Sequence, residues 1–221
     1  MGPESRIEAT GYRDRQVPNT FVRQGDASDR LAVFLPGFGY SCDMPLFYYA
    51  ELLLLSAGVE VLRVEYAYNR EPDFRDLPAE EQRAWLLTDA AAALRAGLGE
   101  GEYCQLILIG KSIGTRAMGH ILTAEPVPPN TRAVWLTPLL RDTVLREHLR
   151  KITTPSLLVV GAADDHYDAA CLQEIEDSRG HVALVVAGAD HSLDIVGDAV
   201  GSARAMADVL MAIAAFLDLR R

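Results

Sequence analysis

Short runs of consecutive apolar residues alternate along the chain with longer segments that mix apolar and polar positions. The apolar runs are rich in Val, Ile and Leu, which is typical of buried strands, whereas the mixed segments have helical spacing. We place strands at 30–37, 59–66, 105–110, 132–137, 156–161 and 182–188. We place helices at 44–57, 80–98, 113–125, 141–150 and 168–178, and a last one from about Gly201.

Strands that are apolar along their whole length are typical of a parallel sheet covered by helices on both faces. The pattern therefore predicts an α/β protein, a three-layer α/β/α sandwich with a mostly parallel sheet. Residues 1–29 form a polar N-terminal edge segment, in which 6–24 are expected to hold a short antiparallel hairpin. The segment RQGDASDR (23–30) is predicted to be a turn. Because no repeat, linker or composition break is visible, residues 1–221 are expected to form one domain.

Composition narrows the classes of partner and compartment. The 221 residues carry a net charge of −10, and no basic cluster is longer than the pair Arg220-Arg221, so nucleic-acid binding is not expected. The three cysteines are scattered without a C-x-x-C pair, which indicates reduced thiols and a cytoplasmic protein. Neither a signal peptide nor a membrane-spanning segment is predicted, and the oligomeric state stays open.

Residues 103–115, YCQLILIGKSIGT, fit two motifs with different chemistry. Gly110-Lys111-Ser112 matches the end of a phosphate-binding loop, whereas Gly110-x-Ser112-x-Gly114 matches a nucleophile elbow, a sharp turn that presents a reactive serine. A phosphate-binding loop needs a glycine five residues before the Gly-Lys pair, but Gln105 stands there and a strand follows it. The elbow is therefore favoured. Its two glycines are expected because neighbouring backbone comes too close for a side chain.

The residues that follow the strands supply partners for this serine. Ligands of open parallel sheets bind beyond the carboxyl ends of the strands, and Ser112, Asp164, Asp165 and His191 all lie there. A serine hydroxyl needs a base to take its proton, and His191 after the last strand suits that role. The histidine in turn needs a carboxylate on its other ring nitrogen.

With these motifs in order, nearly the whole chain from Leu31 onward resembles the α/β-hydrolases. The resemblance implies a catalytic triad of Ser112, His191 and Asp164, because the family commonly places its acid three residues after a strand-ending glycine, here Gly161. Asp165 is the nearest competitor, and Asp142 matches a variant position of the family acid.

The resemblance also implies an oxyanion hole made by the backbone N–H groups of Ile113 and of Phe38 in the turn LPGFG. Many family members have His-Gly at this turn, and Pro36 stands here in place of the histidine. Gly37, Tyr40, Leu139 and His166 are candidates for lining the substrate pocket. Many members also insert a cap domain between the strands at 132–137 and 156–161, where this chain has room for one helix, so an open site is expected.

The predicted function is that of a serine hydrolase acting on a small carboxylic ester or thioester, with a small-molecule acyl substrate. Two alternatives stay open: a binding protein with this fold that has lost turnover, and a serine peptidase or amidase. The segment DDHYD (164–168) has metal-ligand residue types, but consecutive residues of one turn rarely converge on one ion. No metal and no organic cofactor is predicted.

Overall fold

The computed structural model describes residues 3–23, 27–179 and 181–219. Part of the turn predicted at 23–30 and the basic pair Arg220-Arg221 lie outside the described residues. Eight strands form one sheet: β1 (Glu4–Ser5), β2 (Asn19–Val22), β3 (Arg30–Leu35), β4 (Glu60–Val64), β5 (Gln105–Lys111), β6 (Arg132–Leu136), β7 (Ser156–Gly161) and β8 (Val182–Val186). Their order in space is β1-β2-β4-β3-β5-β6-β7-β8.

Six neighbouring strands, β4-β3-β5-β6-β7-β8 in spatial order, are parallel. At the edge beside β4, β2 pairs antiparallel with β4, and β1 pairs antiparallel with β2. The α/β fold with a mostly parallel sheet and an antiparallel N-terminal edge is therefore confirmed. The predicted strand ends were too late by two residues at β3, β4 and β8 because apolar residues continue into the loops that follow.

Seven α-helices lie among the described residues, six between strands and the last after β8: α1 (Pro45–Ser56), α2 (Pro72–Asp76), α3 (Ala79–Leu98), α4 (Ile113–Ala124), α5 (Thr143–Lys151), α6 (Ala169–Arg179) and α7 (Ala199–Phe216). Short 3₁₀ turns occur at Tyr12–Asp14 and Tyr68–Arg70. The six long helices agree with the predicted ones to within about two residues. The pattern missed α2 because five residues are too few to display a helical period.

Alternation of buried side chains along the strands produces two apolar layers. In β5, Leu106 and Leu108 face the layer made with α2 to α6, whereas Ile107 and Ile109 face the layer made with α1 and α7. One helix among the described residues, α7, is long and apolar enough to cross a membrane by length and composition alone. In this fold it buries Ala205, Val209 and Ile213.

Candidate active site

Ser112 occupies the sharp turn between β5 and α4. Its φ of 53° and ψ of −118° lie in a region that side-chain-bearing residues rarely adopt, so the turn is strained. A Cβ on Gly114 would overlap the backbone carbonyl of Leu35, and one on Gly110 would overlap the sulfur of Met118. Both glycines are therefore required by close approach, and the turn holds the serine at the carboxyl edge of the sheet.

His191 and Asp164 complete a hydrogen-bonded chain with this serine. The His191 Nε2 atom lies 2.9 Å from Ser112 Oγ, and Nδ1 lies 2.7 Å from Asp164 Oδ2. These residues come from the loops after β8, β5 and β7, so three separate strand ends meet here. The geometry brings together the three residues predicted as a triad.

The Asp164 carboxylate is buried and fully engaged. Its Oδ1 atom accepts a hydrogen bond of 2.8 Å from the His166 backbone N–H, while Oδ2 faces His191. Burial alone would raise the pKa of Asp164, but the hydrogen bonds from His191 and His166 hold it below its usual value. The carboxylate therefore stays ionised near neutral pH, where it orients the imidazole.

The two competing acids have other positions. Asp165 is exposed. Asp142 caps α5 by accepting from the Val144 and Leu145 backbone N–H groups, and it pairs with Arg116 at 2.6 Å. Burial would raise the pKa of Asp142, but the Leu145 N–H and Arg116 hold it below the usual range.

Lys111 is a buried cation beside the chain of hydrogen bonds, and its place in the elbow motif did not predict a role for it. Its side chain is 1% exposed, and Nζ donates to Thr137 Oγ1 at 2.7 Å and to the His191 backbone carbonyl at 2.5 Å. Nζ also lies 4.8 Å from the centre of the Tyr40 ring. Burial lowers the pKa of Lys111 to about 8, against the opposing field of nearby aspartates. Lys111 therefore ties the histidine loop to the ends of β5 and β6.

The turn after β3 passes directly over Ser112. A Cβ on Gly37 would lie 3.4 Å from Ser112 Cβ, and the Gly37 N–H donates to the Tyr40 carbonyl at 3.0 Å. The buried Tyr66 hydroxyl donates to the Pro36 carbonyl at 3.2 Å. Tyr66, from the segment after β4, therefore orders the turn where Pro36 cannot. A tyrosine at the end of the strand predicted at 59–66 was the only sequence signal for it.

Two clefts lie on either side of Phe38, whose side chain is 39% exposed. The larger, of about 360 Å³, is lined by residues that include Gly37, Tyr40, Tyr66 and Glu65. The smaller, of about 220 Å³, is lined by residues that include Ile113, Arg83 and Arg116. Both residues predicted to donate the oxyanion-hole hydrogen bonds, Phe38 and Ile113, line this smaller cleft.

The remaining predicted pocket residues have different surroundings. The His166 ring lies 5.2 Å from the His191 ring, whereas Leu139 is 5% exposed and packs in the core. Tyr40 is half-buried, and its hydroxyl accepts from the Leu46 N–H. No group of three or more His, Cys, Asp or Glu side chains is arranged to hold a metal ion within the described part of the chain.

An aromatic stack leads away from the site beneath Phe38. The centres of the Phe38 and Phe74 rings are 6.2 Å apart. The Phe74 ring stacks on the Tyr68 ring with 4.3 Å between centres and packs edge-on against Trp85 with 5.6 Å between centres. Trp85 in turn stacks on Tyr12 of the N-terminal segment at 5.1 Å. The stack joins the turn over Ser112 to the antiparallel edge of the molecule.

Comparisons with known proteins agree with this fold. An esterase from Pyrococcus furiosus is similar with a TM-score of 0.72 at 14% identity, over 98% of this chain and 91% of its own. A dienelactone hydrolase from Anabaena variabilis gives a TM-score of 0.70 at 17% identity, over 96% and 95% of the two chains. A cold-adapted esterase from an Arctic intertidal metagenomic library gives 0.68 at 16% identity, over 95% and 91%.

At these identities the structural likeness shows the fold alone. The comparison with curated proteins gives no match. The family model for the alpha/beta hydrolase domain matches residues 28–218, which is most of the chain and includes Ser112, Asp164 and His191. The chain therefore belongs to the α/β-hydrolase family.

Proposed function

We propose that this protein is a serine hydrolase that cleaves a small carboxylic ester or thioester through an acyl-enzyme on Ser112. The observation that carries the proposal is the continuous hydrogen-bonded chain from Ser112 through His191 to Asp164, with contacts of 2.9 and 2.7 Å. A nucleophile, a base and an orienting acid at these distances fulfil the geometric requirements of acyl transfer.

In the first step, Ser112 Oγ attacks the carbonyl carbon of the substrate while its proton passes to His191 Nε2. The Asp164 carboxylate keeps the other ring proton on Nδ1 and stabilises the imidazolium that forms. The negative charge on the carbonyl oxygen is met by backbone N–H groups. Ile113 begins α4, where helix N–H groups have no internal partner and the helix dipole is positive, and Phe38 supplies the second donor.

The tetrahedral intermediate collapses when His191 returns its proton to the leaving alcohol or thiol, which leaves the acyl group on Ser112. A water molecule then attacks this ester, with His191 again as base, and the carboxylic acid is released. Only α5 and short loops separate β6 from β7, and the His191 side chain is 36% exposed. This openness favours small soluble substrates over a lipid held under a lid.

The proposal is tested by labelling with a fluorophosphonate, which reacts preferentially with activated serines. We expect labelling at Ser112 in the wild-type protein, located by mass spectrometry, and none in Ser112→Ala. The matched control, Ser56→Ala at the exposed end of α1, should label as the wild type does. Absence of labelling in protein shown to be folded by circular dichroism would overturn the proposal in favour of a binding protein with this fold.

A further inference from the structure

The smaller cleft beside Phe38 has a positively charged wall; we name it the arginine cleft. Six of the residues that line it are Phe38, Phe74, Leu86, Ile113, Arg83 and Arg116. Phe74 and Leu86 are buried apolar side chains and form its floor. A ligand in this cleft therefore meets hydrocarbon, two guanidinium groups and the carboxylate of Asp142, which also lines it.

The charge of the arginine cleft differs in sign from that of the whole molecule. Arg116 is paired with Asp142, whereas Arg83 has no ion pair among residues 3–23, 27–179 and 181–219. Two arginines and one aspartate leave one positive charge in a chain whose net charge is −10. After burial, Arg83 is the next largest cause that lowers the pKa of His148. Arg83 also contributes to the lowered pKa of Asp142, after the Leu145 N–H and Arg116, so both arginines act on that one carboxylate.

The arginine cleft lies close to Ser112 because both are at the beginning of α4. Ile113 follows Ser112 directly, and Arg116 lies one turn further along the same face of α4. At about 1.5 Å of rise per residue, Arg116 begins about 6 Å along the helix from Ser112. Arg83 approaches from α3 across the cleft. An acyl chain attached to Ser112 can therefore extend along the apolar floor and end at the two guanidinium groups.

We infer that the arginine cleft binds a free carboxylate at the far end of the acyl group. The substrate class is then the monoester or monothioester of a short dicarboxylic acid. One net positive charge matches one carboxylate, and planar guanidinium groups bind carboxylates in paired hydrogen bonds. The inference rests on the proposed function: water cleaves the ester bond, and the dicarboxylic acid and an alcohol or thiol leave.

The experiment compares monoethyl glutarate with ethyl 5-methylhexanoate, in which an uncharged isopropyl group of similar size replaces the carboxylate. Ethanol release is measured by gas chromatography, with the uncatalysed rate subtracted. For the wild type we expect kcat/KM to favour the glutarate ester by about tenfold or more, since hydrogen bonds to charged groups have this strength. Arg83→Gln should abolish most of this preference, chiefly through KM, and Arg83→Lys should retain part of it.

Arg83 is the residue to change because Arg116 also holds the cap of α5. Arg204→Gln on α7 is the matched control, since Arg204 is exposed on the opposite face of the sheet. It removes the same charge from the molecule and should leave the preference unaltered. An equal loss of preference in Arg204→Gln would assign it to net charge and overturn the inference.

Failure of the inference is distinguishable from failure of the proposed function. Hydrolysis of both esters that needs Ser112 but shows no preference for the glutarate ester would overturn the inference and leave the serine hydrolase intact. No Ser112-dependent hydrolysis of either ester, together with no fluorophosphonate labelling, would overturn both.

Discussion

The two faces of the sheet differ from its carboxyl edge, because the faces stabilise the fold whereas the edge holds the candidate active site. On the faces, strand residues such as Phe34 and the helix residues packed on them, such as Leu54 of α1, are fully buried, and their burial stabilises the fold. At the edge, Ser112 has a positive φ, which costs about 1–3 kcal/mol. Lys111 is buried with its pKa lowered from 10.5 to about 8, which costs about 3 kcal/mol when it is charged. The apolar burial on the faces therefore offsets the unfavourable free energies of the strained serine and the buried lysine at the edge.

The largest effect is expected on kcat, from a substitution at the carboxyl edge that leaves the buried faces unaltered. Asp164→Asn should lower kcat for a 4-nitrophenyl ester by about 10³- to 10⁴-fold, because a neutral amide no longer fixes the tautomer of His191. Asp165→Asn is the matched control at the exposed neighbouring position and should keep activity within about threefold. Equal losses in the two variants would mean that Asp164 is not the acid partner of His191.

A substitution in the apolar layer on one face should have the converse effect, lowering stability without changing catalysis. Leu54→Ala removes a fully buried side chain of α1 and should lower the free energy of unfolding by about 2–5 kcal/mol. Leu52→Ala, on the same helix and 37% exposed, should lower it by less than about 1 kcal/mol. Urea denaturation measures both, and kcat of the folded protein should be unchanged. A large drop in kcat for Leu54→Ala would show that face and edge are coupled.

The smallest expected effect is a dependence of stability on pH that is caused by Lys111 at the edge. The pKa of Lys111 is lower in the folded chain, about 8, than its ordinary value of 10.5, so the unfolded chain binds more protons between these values. Stability from this group therefore rises with pH across that window, by about 2 kcal/mol between pH 8 and 10. Lys111→Met should lack this rise in urea denaturation measured at both pH values.

The control for this change is Lys151→Met, which alters the only other lysine of the chain at an exposed position. It should retain the rise seen in the wild type. The same rise in Lys111→Met would show that Lys111 is not the group responsible, and that its burial does not destabilise the fold.

The sequence predicted the faces well because continuous runs such as LILIG require burial on both sides of a strand. The elbow was also predictable, since its glycines and serine are adjacent in sequence. The choice between Asp164 and Asp165 was not, because it depends on where the loop after β8 places His191. The partners of Lys111 and Tyr66 are backbone carbonyls 80 and 30 residues away, and no local pattern identifies such contacts. Arg83 lies among the charges of α3 and becomes distinctive only when α4 packs beside it.

The aromatic stack beneath Phe38 gives the molecule an internal fluorescent reporter. Of the two tryptophans, Trp135 is fully buried in the sheet, whereas Trp85 lies in the stack, with the Arg15 guanidinium 4.9 Å from the centre of its ring. Phe74 lies between Phe38 and Trp85, so a ligand that shifts Phe38 is expected to alter the surroundings of the Trp85 indole. The emission of Trp85 is therefore the signal to follow when ligands are added to the clefts beside Phe38.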